Sequence, residues 1–277
     1  MSALQMDSDS LLIDKTTAVA LGEDAAEAYQ SKSPYHYGCF DDFLPAAVLK
    51  KVIGELDKLP EAEDSFNRDQ ERLKTSYIPE RLPPYTKNLF YALNSRPFLM
   101  FLEKMSGIEG LIPDPYFAGG GIHVVANGGH LDIHADFNHH TKLNLERRMN
   151  VLIYLNKDWK EEYGGSFEIW EDNMSEQVES FNPIFNRMVC FSTSSTSMHG
   201  NPTPVNHPEG TSRRSIALYY YTATWDDSRK AHTTHFKPRP GTIDKTDWQV
   251  RKQEFAKDVF PPFIYRRIRG PLSRLGF

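Results

Sequence analysis

One short stretch of the chain carries two histidines, each of which stands two residues before an aspartate. The two motifs are His130-Leu131-Asp132 and His134-Ala135-Asp136. In an extended strand side chains alternate between two faces, so residues i and i+2 point the same way. Each motif can therefore bring an imidazole nitrogen and a carboxylate oxygen to one metal ion. Both motifs share one strand parity, and we favour the second because a polar loop follows it and places it at a strand end.

A metal site of this kind needs a second histidine from a distant part of the chain. His199 is the best candidate, because it follows the apolar run Met188–Phe191 and precedes turn-forming residues. His207 is the alternative, but it lies in a proline-rich loop. Two histidines and one carboxylate cover one face of a metal and leave the others open, which is typical of non-haem Fe(II) oxygenases.

The spacing of His130 and His134 also mimics the His-x-x-x-His motif of zinc peptidases. That motif requires a helix and a glutamate next to the first histidine. Here Gly128-Gly129 precedes the stretch, the β-branched Ile133 interrupts it, and it contains no glutamate. A zinc-dependent hydrolase is therefore the weaker alternative.

A pair of arginines at the start of a later strand offers a cation for an anionic co-substrate. By alternation Arg213 and Ser215 face one way and Arg214 faces the other. An arginine that points into an apolar interior is costly unless it meets an anion. A planar guanidinium binds a carboxylate through two parallel hydrogen bonds. Which of the two arginines points inward stays open from sequence alone.

The elements that must position these residues change in character near Pro113. Before it, apolar residues at helical spacing predict a helix between Pro45 and Pro60 and a second helical stretch, Thr86–Met105, broken at Ser95. After it, β-branched and aromatic runs alternate with Gly, Asn and Pro turns and predict an antiparallel sandwich or barrel. The predicted strands are Tyr116–Val125, Leu131–Asp136, Met149–Leu155, Ser166–Trp170, Met188–Ser192 and Ser215–Thr224.

These patterns divide the chain into an N-terminal segment, residues 1–33, expected to be flexible or to form a short peripheral helix, and a single domain, residues 34–277. Within the domain we expect helical support over 34–112, a β core over 113–225 and a C-terminal extension over 226–277. Two charged stretches, Glu61–Pro84 and Asn138–Glu146, are expected to be long loops that shape a substrate cleft. Cations in or just after the second loop suggest an acidic or phosphorylated substrate: His139, His140, Lys142, Arg147 and Arg148.

Length, charge and cysteine content argue against several other functions. The chain has 277 residues and a formal net charge of -5, which favours neither nucleic acid nor an anionic membrane as a partner. Its two cysteines form no C-x-x-C pair and fit a reducing, cytoplasmic location. The start of the chain lacks a signal-peptide pattern, and no apolar run approaches the roughly 20 residues of a membrane span. The basic end, residues 260–277, is expected to be a solvated tail, and no pattern specifies an oligomeric state.

In this order and spacing the motifs resemble the 2-oxoglutarate/Fe(II) dioxygenase superfamily, in its prolyl-hydroxylase-like branch. The resemblance covers about Tyr116–Thr224. Its strongest segments are Gly129–Asp136, Val151–Trp159 before a Gly-Gly turn, and His199–Tyr221.

The resemblance implies a mainly β fold, with a double-stranded β-helix, a cupin-like jelly roll, packed against N-terminal helices. It assigns the iron to three ligands, His134, Asp136 and His199. Arg213, supported by Tyr154 and Ser215, would bind the far carboxylate of 2-oxoglutarate. Fe(II), 2-oxoglutarate and O2 are the implied cofactors, with ascorbate as a candidate reductant.

The implied reaction is hydroxylation of an unactivated C–H in a peptide, an amino acid or a small metabolite, with release of succinate and CO2. Because Asp136 is present, hydroxylation is favoured over the halogenation of relatives that lack the acid. Collagen-type relatives usually anchor 2-oxoglutarate with lysine, whereas here the position is Arg213. Nucleic-acid demethylases carry a second arginine six residues later, where this chain has Tyr219. The alternative is a non-catalytic jelly-roll protein that kept the fold and binds a ligand without turnover.

Overall fold

The helices of the fold lie in its N-terminal part. The computed structural model describes residues 2–59, 64–226, 228–229, 231–248 and 250–252, so the basic end of the chain, residues 260–277, lies outside the described residues. In the N-terminal part, the α-helices among the described residues are α1 (Lys15–Gln30), α2 (Ala46–Leu56), α3 (Pro84–Leu93) and α4 (Arg96–Ser106). The predicted break at Ser95 separates α3 from α4, and Gly107 ends α4 with a left-handed φ of 71°. Two short 3-10 helices span Pro79–Arg81 and Glu161–Tyr163.

One large antiparallel sheet forms the rest of the fold. Its strands are β1 (Tyr37–Phe40), β2 (Asp64–Arg68), β3 (Glu71–Tyr77), β4 (Ile112–Pro113), β5 (Gly121–Ala135), β6 (His139–His140), β7 (Leu145–Tyr154), β8 (Phe167–Trp170), β9 (Gln177–Phe181), β10 (Met188–Ser192), β11 (Met198–Asn201), β12 (Arg213–Thr222) and β13 (His235–Phe236). The main order is β1-β10-β7-β12-β5-β11-β8-β9, with β3 also paired to β5 and β2 to β3. The sheet curls into a nearly closed barrel, which confirms the expected mainly β, jelly-roll fold.

The helices cover the outer face of this sheet and bury the largest apolar cluster of the molecule. Phe43, Phe98 and Phe101 are fully buried and their ring centroids lie 5.7–6.2 Å apart. Tyr220 of β12 packs against Phe98 from the sheet side. Each such ring contributes roughly 1.5–3 kcal/mol through burial. This layer holds β7 and β12, which carry residues of the site described below.

Residues 2–33, expected to be flexible or a short peripheral helix, contain the 16-residue helix α1 and contribute to the core. Leu4, Ala18 and Tyr29 are buried, and α1 packs along α4. At Gly22 an added Cβ would lie 2.5 Å from the carbonyl oxygen of Phe101, so the two helices approach closely. The contact rests on small residues, which is why the apolar periodicity of this stretch is weak.

The described part of the charged stretch 61–84, residues 64–84, is not a long loop. It forms the hairpin β2–β3, and β3 pairs with β5 from Glu71 to Tyr77. Its side chains are charged because one face of the hairpin lines the polar cavity described below. The predicted strands Tyr116–Val125 and Leu131–Asp136 are likewise joined in the single 15-residue strand β5.

Two further features concern the length of the helices and the state of the cysteines. Among the helices that the structure describes, none is both long and apolar enough to cross a bilayer. Cys39 is exposed, Cys190 is buried, and both are free thiols.

Candidate active site

Three side chains from two strands meet at one point inside the barrel. His134 lies near the end of β5, Asp136 follows that strand, and His199 sits opposite His134 on β11. Their ligand atoms all lie within 4.8 Å of one another, and this is the metal-ligating cluster found among the described residues. The two imidazole rings are 4.6 Å apart between centroids. As whole residues, His134, Asp136 and His199 are 4%, 9% and 5% exposed.

A β-bulge in β5 decides which His-x-Asp motif faces inward. His199 is paired with His134, but Asn201 is paired with Leu131, so three steps along β5 match two along β11. The bulge reverses the alternation of side chains, and Leu131 and His134 both line the interior cavity. Gly200 makes this possible, because an added Cβ would lie 2.7 Å from the carbonyl oxygen of Asp132.

Backbone carbonyls set the tautomers of both histidines. Nδ1 of His134 donates to the carbonyl of Asp132 at 2.8 Å, and Nδ1 of His199 donates to that of Ser197 at 2.9 Å. A neutral ring with its proton on Nδ1 presents a bare lone pair at Nε2. These Nε2 atoms lie 3.7 Å and 3.2 Å from the carboxylate oxygens of Asp136. Lone pairs that face a carboxylate at such distances need a cation between them, so the donor set fits a metal ion.

The charge states of His199 and Asp136 agree with this arrangement. Burial lowers the pKa of His199, although Asp136 acts in the opposite direction, so the ring is held neutral. Burial alone would raise the pKa of Asp136, but the guanidinium of Arg147 acts in the opposite direction, and the net pKa lies well below the ordinary value. Asp136 is therefore a carboxylate and His199 an uncharged ring, which are the forms that bind metals.

Two residues of β7, Asn150 and Arg147, contact the Oδ2 atom of Asp136. Its Oδ2 accepts a hydrogen bond from Nδ2 of Asn150 at 2.7 Å and lies 3.1 Å from the guanidinium of Arg147. Arg147 is buried between the rings of Phe137 and Tyr219, at 4.4 Å and 3.6 Å from their centroids. The sequence placed Arg147 among cations for an acidic substrate; it is instead a partner of Asp136. No local signal marks this role, since it depends on the pairing of strands.

A second buried cation, Arg213, occupies another wall of the cavity. Its Nε donates to the carbonyl of Gly165 at 2.7 Å, and another guanidinium nitrogen donates to the hydroxyl of Tyr154 at 3.3 Å. Arg213 is only 4% exposed, yet no described carboxylate lies within ion-pair distance of it. Burial lowers its pKa, with Tyr154 opposing the shift. A buried guanidinium without an anion is a ready site for a carboxylate.

Of the two neighbouring arginines, Arg213 points into the cavity and Arg214 does not. Arg214 lies on the outer face, where it forms an ion pair with Asp57. Ser215 is buried and lines the cavity together with Arg213. Tyr154, which the resemblance linked to 2-oxoglutarate, touches Arg213 but does not line the cavity, and burial raises its pKa to about 12.

The cavity itself has a volume of about 250 Å³ and combines aromatic with charged walls. Its phenylalanine and tyrosine lining consists of Phe66, Phe137, Phe167, Phe191, Tyr219 and Phe236. The hairpin adds Arg68, Glu71 and Lys74, of which Lys74 donates to Glu71 at 2.8 Å. Sequence reasoning missed these three residues because the hairpin was interpreted as a loop.

The remaining histidine candidates lie elsewhere. Nε2 of His130 contacts the carbonyl of Asp69 at 3.2 Å, and His207 packs on the ring of Tyr163 at 4.5 Å. Residues 128–135 are strand, so the helical arrangement of a zinc peptidase is absent. In the stretch 138–146, His140 lies 3.3 Å from Asp114 and His139 stacks on Trp225, both away from the cavity around Asp136.

Comparison with known proteins agrees with this geometry. Residues 120–221 match the family model described as the 2OG-Fe(II) oxygenase superfamily. The match spans the β core and confirms the resemblance to this superfamily. Fe(II), 2-oxoglutarate and O2 are accordingly its cofactors, and the donor set of two histidines and one carboxylate fits the iron. The comparison with curated proteins finds no significant match.

Several solved structures share the fold of this β core. A prolyl hydroxylase from Trichoplax adhaerens, in complex with a hypoxia inducible factor peptide fragment, has a TM-score of 0.54 and 16% identity over 74% of this chain and 91% of its own. A prolyl-4-hydroxylase from Pseudomonas putida has a TM-score of 0.50 and 15% identity over 73% and 99%. HygX from Streptomyces hygroscopicus, with nickel and 2-oxoglutarate bound, has a TM-score of 0.51 and 11% identity over 80% and 92%.

Proposed function

We propose that this chain is a 2-oxoglutarate-dependent Fe(II) dioxygenase that hydroxylates an unactivated C–H of a peptide, an amino acid or a small metabolite, releasing succinate and CO2. One observation carries the proposal. The three metal-ligating side chains converge on a cavity whose wall also holds Arg213, a buried arginine without an anionic partner among the described residues.

His134, Asp136 and His199 would hold Fe(II) from one side. His134 and His199 are fixed by their Nδ1 hydrogen bonds, so their Nε2 atoms cannot turn away from the metal. The three ligands come from β5, the residue just after it, and β11, so the cavity side of the ion would stay open for other ligands. When bound, iron and 2-oxoglutarate would supply the oxidising chemistry. The residues of the chain would bind and orient the co-substrate and shield the reacting atoms from water.

Arg213 and Ser215 would bind the far carboxylate of 2-oxoglutarate. Arg213 is already oriented by Gly165 and Tyr154, and its remaining donors are available to an anion. Ser215 is buried two residues along β12 and offers a hydroxyl on the same face. Tyr154 would act through Arg213 rather than by touching the co-substrate.

The aromatic lining would keep water away from the reacting atoms. Phe191 packs against the ring of His199 at 4.4 Å, and Phe236 packs against that of His134 at 5.2 Å. Arg68 lies over the ring of Phe236 at 5.0 Å, where the hairpin meets the C-terminal segment. Excluding water strengthens every electrostatic contact inside the cavity and protects a reactive oxidant from side reactions.

Two of the substrate classes in the proposal, a peptide and a small molecule, are also bound in solved structures of this fold. The Trichoplax adhaerens structure holds a peptide fragment, and HygX has also been solved with hygromycin B, a small molecule. The hairpin residues Arg68, Glu71 and Lys74 would meet such a substrate at the cavity wall. The cytoplasmic location, the absence of nucleic-acid and membrane partners and the use of ascorbate stay predictions.

The test combines binding and turnover. Purified protein with Fe(II) and 2-oxoglutarate should show, without oxygen, the visible absorption band of iron chelated by a 2-oxo acid. Admission of air should release succinate and CO2, slowly without substrate and faster with a suitable one. The matched control is His134→Ala, which should lose both signals. Wild type that forms the band but never releases succinate would identify a binding protein, and wild type without either signal would refute the proposal.

A further inference from the structure

The cavity wall formed by the hairpin β2–β3 carries charges of both signs. Oε1 of Glu71 accepts a hydrogen bond from Nζ of Lys74 at 2.8 Å, and its Oε2 accepts a longer one from Arg68 at 3.4 Å. The side chains of Glu71 and Lys74 are only 8% and 14% exposed. Burial would raise the pKa of Glu71, but Lys74 lowers it, and the net pKa lies below the ordinary value. Glu71 is therefore a carboxylate that meets the ammonium group of Lys74 at the cavity wall.

A backbone irregularity brings both charges to one face of β3. Residues i and i+3 of a regular strand point to opposite faces, so Glu71 and Lys74 would be expected to point apart. Leu73 has a left-handed φ of 50°, which a bulky residue rarely adopts, and the register against β5 shifts between Arg72 and Lys74. The shift turns Lys74 to the face of Glu71, and both side chains line the cavity. Strained backbone of this kind is concentrated at functional sites.

The strand register separates this pair from the arginine assigned to 2-oxoglutarate. Glu71 pairs with Leu131, in the part of β5 that precedes the metal-ligating residues. Lys74 pairs with Val125 from one side of β5, and Arg213 pairs with Val125 from the other. Because neighbouring strands lie about 4.8 Å apart, the backbones of β3 and β12 are about 10 Å apart at this level. Lys74 and Glu71 are thus available to a second ligand beside the co-substrate.

A ligand with a single charge fits this wall poorly. An anion that approaches Lys74 also meets Glu71, and a cation that approaches Glu71 also meets Lys74, because their charged atoms are 2.8 Å apart. Arg68 lies 3.8 Å from Asp247, so the wall as a whole is close to neutral. A buried charge that loses its partner is costly. A ligand with an ammonium group next to a carboxylate pairs with both charges through charge-assisted hydrogen bonds.

We propose that the substrate is a free amino acid whose carboxylate binds Lys74 and whose ammonium group binds Glu71, which makes these two residues specificity-determining. This rests on the proposed function, because it names the substrate of the same cavity. The cavity volume of about 250 Å³ is smaller than the roughly 300–1,000 Å³ of pockets for drug-sized ligands, which favours a small zwitterion over a peptide. Without substrate, Glu71 and Lys74 satisfy each other.

The wild-type protein provides the first test. Succinate release is measured with Fe(II), 2-oxoglutarate and air, without substrate and then with each standard amino acid in turn. We expect at least one free amino acid to accelerate the release. Its deamino analogue lacks the ammonium group, and its carboxamide lacks the carboxylate charge. Each analogue should have a kcat/KM lower by about tenfold or more, because one hydrogen bond between charged groups is lost.

Two variants assign the charges to their residues. Glu71→Gln should reduce the preference for the free amino acid over its deamino analogue and keep the preference over the carboxamide. Lys74→Met should do the reverse. Glu23→Gln is the matched control, because Glu23 pairs with Lys104 at 3.0 Å on the helices, outside the cavity, and this variant should keep both preferences.

The outcomes separate this inference from the proposed function. Succinate release that no free amino acid accelerates, or that the uncharged analogues accelerate equally, would overturn the inference alone. Unchanged preferences in both Glu71→Gln and Lys74→Met would also overturn it. Wild type that releases no succinate under any of these conditions would overturn the proposed function and this inference with it.

Discussion

His134 and His199 lie directly opposite each other on two antiparallel strands, with their ring centroids 4.6 Å apart and both Nδ1 atoms donating to backbone carbonyls. These histidines are separated by 64 residues of sequence and meet only because β11 pairs with β5. The pairing aims both Nε2 atoms at Asp136. The metal centre is thus a property of the strand register, and changes that shift the register should affect it as strongly as changes of a ligand.

Removal of His199 should abolish tight metal binding. In His199→Ala we expect Mn(II) affinity to fall by more than the roughly 10–100-fold seen for loss of an outer partner, because a direct ligand is lost. Titration of free Mn(II) by electron paramagnetic resonance measures this. The matched control is His207→Ala, whose ring packs on Tyr163 away from the cavity and should leave the affinity unchanged.

Removal of the buried cation should weaken 2-oxoglutarate binding. Breaking a buried charge pair costs roughly 2–5 kcal/mol, so Arg213→Met should raise the apparent KM for 2-oxoglutarate about 30-fold or more. Succinate release at varied 2-oxoglutarate concentration gives this value. Arg214→Met serves as the control, because Arg214 pairs with Asp57 on the outer face, and its KM should stay near that of wild type. Similar KM values for both variants would contradict the assignment of Arg213.

A methyl group at Gly200 should disturb the metal centre without touching a ligand. Its Cβ would lie 2.7 Å and 2.8 Å from the carbonyl oxygens of Asp132 and Leu131, which are backbone atoms and cannot turn away. Gly200→Ala should therefore push β11 off the bulge and lower Mn(II) affinity by about tenfold or more. Gly54→Ala is the control, since no atom lies within 4 Å of its Cβ. That exposed helical change should raise stability by up to about 1 kcal/mol and leave Mn(II) binding unaltered.

The N-terminal segment should contribute measurably to stability. Leu4 is fully buried, so Leu4→Ala should lower the free energy of unfolding by about 2–5 kcal/mol. Leu12 is 73% exposed, and Leu12→Ala should change the free energy by no more than about 0.5 kcal/mol. Urea unfolding monitored by circular dichroism compares the two. A segment without a packed role would make both variants equally stable.

The ion pair of Arg239 and Asp244 should make the C-terminal segment sensitive to acid. Burial alone would raise the pKa of Asp244, but hydrogen bonds from Arg239 at 2.8 Å and 3.1 Å lower it, and the net pKa is below its ordinary 3.8. A carboxylate whose folded pKa is depressed stabilises the fold above its unfolded pKa, and this is lost as the pH falls through the folded value.

Asp244→Asn should accordingly lower the melting temperature at pH 7, whereas the difference should vanish well below pH 4. After solvent screening we expect about 1 kcal/mol or less, a shift of roughly 2–4 °C at most. Differential scanning calorimetry across this range provides the measurement. Asp9→Asn, which alters a carboxylate that is 91% exposed, should leave the melting temperature unchanged at every pH. A pH-independent effect of Asp244→Asn would rule out the electrostatic explanation.

The structure differs from the sequence-based expectations where local patterns carry no information about packing partners. The hairpin β2–β3 has a charged sequence typical of a loop because Arg68, Glu71 and Lys74 face a polar cavity. The stretch 1–33 looked weakly apolar because it packs through small residues such as Gly22. Arg147 looked like a surface cation, and only the pairing of β7 with its neighbours brings it to Asp136.

The amino-acid pattern alone revealed the candidate metal ligands, two histidines and one aspartate, and an arginine at the start of a strand. It also revealed the change from helical to β periodicity along the chain. Residue types and alternation are local properties, so they can be recognised without coordinates. Only the tertiary structure decided between His130 and His134, between His199 and His207, and between Arg213 and Arg214. Those choices depend on a bulge in β5, on the register of β11 and on which face of β12 is covered, and each is set by contacts between segments far apart in the chain.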